Sequence, residues 1–381
     1  MKQWKQSVLG CMTAGLLMMT SFPVFAADSS SDPSGKSQPV TEGSTFDDGT
    51  LTYTILKNMQ VSVTGCVTTA TNISIMPKID GYTVVSIGDQ AFAGCSALQS
   101  VTMPNGITEI GDGAFQSCTS LQSVTLSNSI TEIPDGAFLS CSALTDIQLG
   151  DQITKIGRMA FAYCTSLTDM EIPDSVTEFG EQTFMGCSSL ESITLPETLE
   201  TLSAYMFQNC SALESFSIPD TMTDLGYLAF VGCRNLKTID ISANHPTYQL
   251  QDDVLYSKDG TELFLYPAGK TGTSFTVPDG VKTISDGAFF AAPLQSVTLP
   301  EGLEWIGSGA FDYCTSLTNI TIPESVTVIQ DHAFSDCESL SSVLFAGDEE
   351  ATDNALQIGS YAFFCCEQLM DVTLPKRVTQ I

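Results

Sequence analysis

Apolar positions recur with a fixed period along most of this chain. Phe92, Phe115, Phe138, Phe161, Phe184, Phe207 and Phe230 each follow the last by 23 residues, and the pattern resumes at Phe289, Phe311, Phe334 and Phe363. A cysteine stands three residues after the phenylalanine in every unit except the one at Phe289, where Ala292 takes its place. Leu98, Leu121, Leu144, Leu167, Leu190, Leu213 and Leu236 follow three residues later still. Next comes an alternating apolar pair, such as Val101 and Met103 or Ile193 and Leu195. Alternation at period two predicts a short strand with one buried face.

A proline with an acidic neighbour then turns the chain, as at Pro173-Asp174, Pro219-Asp220 and Pro323-Glu324, because proline presets the backbone angle of a turn. A second short V-T-x-I segment follows, then glycine, then the Ala-Phe corner. One such unit is too small to bury its own apolar edge. The units must therefore stack, strand on equivalent strand, into a solenoid.

The pattern I-P-x-x-V-T-x-I-G-x-x-A-F-x-x-C-x-x-L-x-x-V-T-L resembles the BspA-type leucine-rich repeat of bacterial surface proteins, over roughly residues 82–381. The resemblance implies an α/β-type repeat solenoid, mostly short strands and turns, with about 23 residues per coil. It also implies an amino-terminal β cap over residues 46–81, where "LTYTILKNMQVSVTGC" alternates apolar and polar residues. Repeats then occupy 82–241 and 274–381, around a β-hairpin insertion at 242–273 that turns at Asp259-Gly260. Asp-Gly is a strong tight-turn signal, and the insertion is expected to project from the stack.

The ends and the charge place the chain. Lys2 and Lys5 precede an apolar run and the small-residue pattern Val24-Phe25-Ala26, which reads as an export signal peptide over residues 1–26. Residues 27–45 are rich in Ser, Pro and Gly and are expected to form a disordered linker. The formal charge is −30, and loss of Lys2 and Lys5 with the leader makes it −32. Such a surface repels nucleic acid and anionic lipid, and no membrane insertion is expected once the leader is cut. At the other end the last unit is interrupted at Ile381. A longer natural product, a truncated gene or a frayed end is expected there.

The cysteine file could serve metal, disulfides, catalysis or packing. Seven consecutive members cannot all pair, Ala292 replaces one, and side chains of a ladder point in parallel. These observations favour a small buried thiol acting as apolar filler. Zinc would call for closely spaced pairs, and only Cys365 and Cys366 are close, with no histidine near. No metal and no cofactor are expected.

His245 and His332 are the only histidines, and no G-x-S-x-G, H-E-x-x-H, Walker or Rossmann motif is present. The chain therefore reads as a non-enzyme, with His332 as an exposed corner residue. Function then falls to the exposed columns of the stack. Asp146, Asp169 and Glu171 gather acid on adjacent coils, enough to attract a basic partner or a calcium ion. Trp305 and Val328 share a column where other coils carry Glu109, Glu132 or Glu178, either as a contact patch or as surface covered by further coils.

The resemblance implies an exported protein that binds extracellular or cell-surface macromolecules, in adhesion to a host or to neighbouring cells. The alternative from another class is that the array targets a larger enzyme whose catalytic domain lies beyond Ile381.

Overall fold

The computed structural model describes residues 41–347 and 355–381. The leader and most of the linker expected from the sequence lie outside these residues. Residues 41–381 form one compact unit, and its elements stack coil upon coil in two strand columns.

The amino end starts both columns. Strands Thr45–Asp47, Leu51–Ile55 and Gln60–Cys66 form an antiparallel meander. Gln60–Cys66 then pairs in parallel with Tyr82–Ile87, whose Ser86 and Ile87 oppose Glu109 and Ile110 of the next coil. Asn72–Ser74 pairs with Ser100–Thr102 and so starts the other column. The meander thus gives the first coil a hydrogen-bonded neighbour, which an open stack would lack.

Most coils contribute one short strand to each column, and at Thr201 and Asp224 the second column thins to a single bridge. In the first, Ser100 opposes Ser123 and Ser123 opposes Asp146. In the second, Glu132 opposes Lys155 and Lys155 opposes Glu178. Pairing residue i with i+23 keeps identical phases in contact, so the buried face of one strand always meets the buried face of the next.

The α/β description is corrected by the corner that carries Ala-Phe. No helix is present among the described residues. Two residues per coil take left-handed backbone angles there, for example Met159 (φ 53°) and Tyr163 (φ 60°) around Phe161. A helix needs consecutive right-handed residues, and this alternation prevents one. Successive amides divide their bonds instead. Ala160 and Ala162 donate within their own turn, to Gly157 and Met159, while Met159, Phe161 and Tyr163 donate to Glu181, Thr183 and Met185 of the following coil.

Inside this corner the phenylalanine rings form a file. Phe138, Phe161 and Phe184 lie 5.4 and 5.7 Å apart, with interplanar angles of 9° and 6°. All three are fully buried. The apolar interior falls into two clusters, one ending near Leu255 and the other starting at Val254.

The interruption is built into the stack instead of projecting from it. Strands Tyr248–Gln251, Val254–Ser257 and Glu262–Leu265 form an antiparallel meander. The last then pairs in parallel with Thr283–Ile284 and so resumes the second column. Asp259 closes the second turn by accepting from the Ser257 hydroxyl and from the amide and hydroxyl of Thr261. Tyr266 supplies the missing ring: it lies 23 residues before Phe289, stacks on it at 5.3 Å, and donates its amide to Ala288.

Phe161→Ala should cost about 3–5 kcal/mol of unfolding free energy, because a fully buried ring with a ring on each side leaves a cavity that parallel neighbours cannot close. Denaturant titration of the variant checks this, with a lowered midpoint and an unchanged slope expected.

Candidate functional site

The cysteine file lies beside the phenylalanine file and does more than fill space. The Cys118 thiol donates to the Phe92 carbonyl at 3.0 Å, Cys141 to Phe115 at 3.0 Å, and Cys164 to Phe138 at 3.2 Å. The same bond recurs at Cys187, Cys210, Cys233, Cys314, Cys337 and Cys366. Each sulfur therefore ties its coil to the one before. Reading the thiol as apolar bulk alone missed this donor, and alanine at position 292 forgoes it. No disulfide links the described cysteines. Burial pushes the thiols of Cys118, Cys187 and Cys233 up to about 12, which removes the thiolate that metals and electrophiles require.

The two histidines differ in setting. His245 is fully buried, with Nε2 3.0 Å from the Pro219 carbonyl and Nδ1 accepting from the amides of Thr247 and Tyr248. His332 sits exposed at a left-handed corner (φ 57°) and stacks on Tyr361.

The acidic residues singled out by the sequence do come together. Asp146, Asp169 and Glu171 line one groove of about 820 Å³, joined there by Asp151 and Asp174. The first strand column is broken at this place: Asp146–Ile147 ends one sheet and Asp169–Glu171 begins another. Asp169 is held by the Thr168 hydroxyl at 2.9 Å. These carboxylates line a trough and do not converge, and no group of three or more His, Cys, Asp or Glu side chains among the described residues is placed to hold a metal ion.

Trp305 and Val328 are cross-strand partners in the second column. Trp305 is 38% exposed, whereas Val328 is half-buried. The tryptophan faces a second recess that single-sequence reading did not find. It is a cleft of about 720 Å³ lined by the coil of residues 223–231, by the meander and by the coils that follow it. Its walls carry Tyr227, Asp224, Glu262 and Asp286. The only sequence signal for it was the interruption of the 23-residue period itself.

A smaller hollow beside the cleft contains Arg234, Asp312 and Tyr313, with the Arg234 guanidinium 5.9 Å from the Tyr313 ring centre. Asp312 Oδ1 is buried without a hydrogen-bond partner. Burial, aided by the neighbouring charge of Asp336, raises this carboxyl to about 7.

The fold and its two grooves define a leucine-rich repeat solenoid with no helix among the described residues. The chain matches the BspA type leucine rich repeat region, in six copies, over residues 69–188, 154–258 and 268–381. It belongs to that family. A leucine rich cell surface protein from Faecalibacterium prausnitzii is 31% identical, with a TM-score of 0.70 over 86% of this chain and 93% of that one. A leucine-rich repeat protein from Bacteroides ovatus is 27% identical, with a TM-score of 0.55 over 85% and 93%. The pneumococcal vaccine antigen PcpA, at 20% identity and a TM-score of 0.54 over 89% and 93%, shares the fold. Among curated proteins no match is found. No helix of the described residues is long and apolar enough to cross a membrane.

Two outcomes are expected. The thiols of the file should resist alkylation at pH 8 in the native protein and react only after denaturation, as counted by mass spectrometry. Asp312 binds a proton in the folded state between about pH 4 and 7 that the unfolded chain has released, so its contribution to stability declines as pH rises through that window. Asp312→Asn should therefore raise the melting temperature at pH 8 and leave it little changed at pH 5, as read by calorimetry.

Proposed function

We propose that this is an exported bacterial surface protein that binds other proteins without catalysis, in adhesion to host or neighbouring cells. The observation that carries the reading is membership of the BspA-type family together with 31% identity to a protein described as a cell surface protein. The leader pattern of residues 1–26 and the surplus of acid agree with an extracellular role. A stacked array supplies an extended contact surface built from equivalent side chains of many coils.

The acidic trough and the Trp305–Val328 column are the proposed contact regions. Asp146, Asp169 and Glu171 present carboxylates beside a break in the strand column, which suits a basic partner surface. Trp305 offers an exposed aromatic of the kind that anchors protein interfaces.

The purified protein, presented to host matrix fractions and to bacterial surface extracts, should retain specific proteins in a salt-sensitive manner. The triple change Asp146→Asn, Asp169→Asn, Glu171→Gln should weaken that retention about tenfold while leaving the melting temperature within a few degrees, as expected for exposed rim charges. Failure to retain any protein from either source would remove the adhesion reading.

A further inference from the structure

At the corner of every regular coil, three alternate amides donate to carbonyls of the next coil. Tyr205, Phe207 and Asn209 donate to Tyr227, Ala229 and Val231. The next coil holds the equivalent residues Leu228, Phe230 and Gly232. Their amides make no such bond, because the meander of residues 248–265 has displaced the following coil. Beyond the gap the pattern returns, with Gly287, Phe289 and Ala291 donating to Ser308, Ala310 and Asp312. The interruption thus leaves one internal rung of the amide ladder unfilled.

The cleft stands at that rung. Leu228 and Phe230 form part of its lining, and Phe264 and Leu265 of the meander form another part. The two coils still touch beside the opening, since the Leu228 side chain comes so close to Gly287 that a Cβ there would meet it at 2.7 Å. A side-chain contact has replaced backbone pairing. In the preceding coils the same amides point toward the neighbour, so here they point at whatever fills the cleft.

The lining states which kind of group fits. No lysine, arginine or histidine lines the cleft, whereas Asp224, Glu262, Asp286 and Asp331 do. Each acid fixes one oxygen on the protein, through the amides of Gly226, Ser308 and Ser360 and the hydroxyl of Ser285. The second oxygen of each remains for another donor. Trp305 and Tyr227 expose ring surface beside them, and Tyr205 meets Tyr227 edge-on at 5.4 Å. Unpaired amides call for carbonyl oxygens, while carboxylates beside aromatic faces call for a cation. An anion is disfavoured by the acids. An extended polypeptide with a basic side chain meets both demands at once, by the logic of adding a strand to an open edge.

We infer that this cleft docks an extended, arginine- or lysine-bearing segment of a partner protein, whose backbone carbonyls accept from Leu228 and Phe230 and whose cation lies between the carboxylates and Trp305. This rests on the protein-binding reading above and names the partner chemistry at one place on the array.

The test uses blocked, unstructured decapeptides that differ only at a central Arg, Gln or Glu. Binding is followed by the fluorescence of Trp305, the only tryptophan outside the leader of residues 1–26, with Trp305→Phe as the silent control. The Arg peptide should bind about tenfold more tightly than the Gln peptide and more tightly still than the Glu peptide, with affinity falling as salt rises. Trp305→Lys should abolish this order. Lys155 occupies the equivalent phase of the second column, so a lysine is compatible with the fold.

Hydrogen exchange supplies an independent readout. In the free protein the amides of Leu228 and Phe230 should exchange far faster than those of Tyr205 and Phe207, and the Arg peptide should protect them. Equal binding of all three peptides, slow exchange in the free protein, or saturable binding of a neutral oligosaccharide in their place would overturn the inference. If Trp305→Lys still retains the proteins captured by the wild type, adhesion stands and the cleft is not its site.

Discussion

The structure depends on backbone pairing between coils. A 23-residue coil is too short to satisfy its own polar backbone, and its corner alternates left- and right-handed residues so that every second amide reaches the next coil. Buried backbone groups left without partners are costly. A coil is therefore stable only with neighbours, and the phenylalanine file and strand columns record the same dependence in apolar surface.

Much of this was legible in the sequence because identical phases repeat. Phe161 and Cys164 each have ten or so equivalents, and equivalents at constant spacing can be stacked without knowing any angle. The handedness of residues such as Met159 and Tyr163 was not legible, since neither is a residue that announces a left-handed angle. The expectation of an α/β class came with the family resemblance, and the corner, which forms no helix among the described residues, does not meet it. Tyr266 was missed for a related reason: it keeps the phase of the file but lies inside a segment that breaks every other sign of the repeat.

The candidate surfaces divide in the same way. Asp146, Asp169 and Glu171 share a trough because adjacent coils bring equivalent positions together, so their proximity followed from spacing alone. The cleft beside Trp305 arises where spacing is lost. Its walls come from residues 223–231, from the meander and from the coils beyond it, which only three-dimensional placement relates. Irregularity in a repeat protein is thus informative in itself: a regular coil leaves its corner donors satisfied, and a displaced one leaves donors for something else.

The thiol bonds give the stack a direction. Each sulfur reaches back to a carbonyl of the preceding coil, while the corner amides reach forward. A chain emerging amino end first presents the meander of residues 45–66 before any coil exists. Every later coil then finds the carbonyl acceptor of its thiol already in place, and assembly can advance one turn of the solenoid at a time.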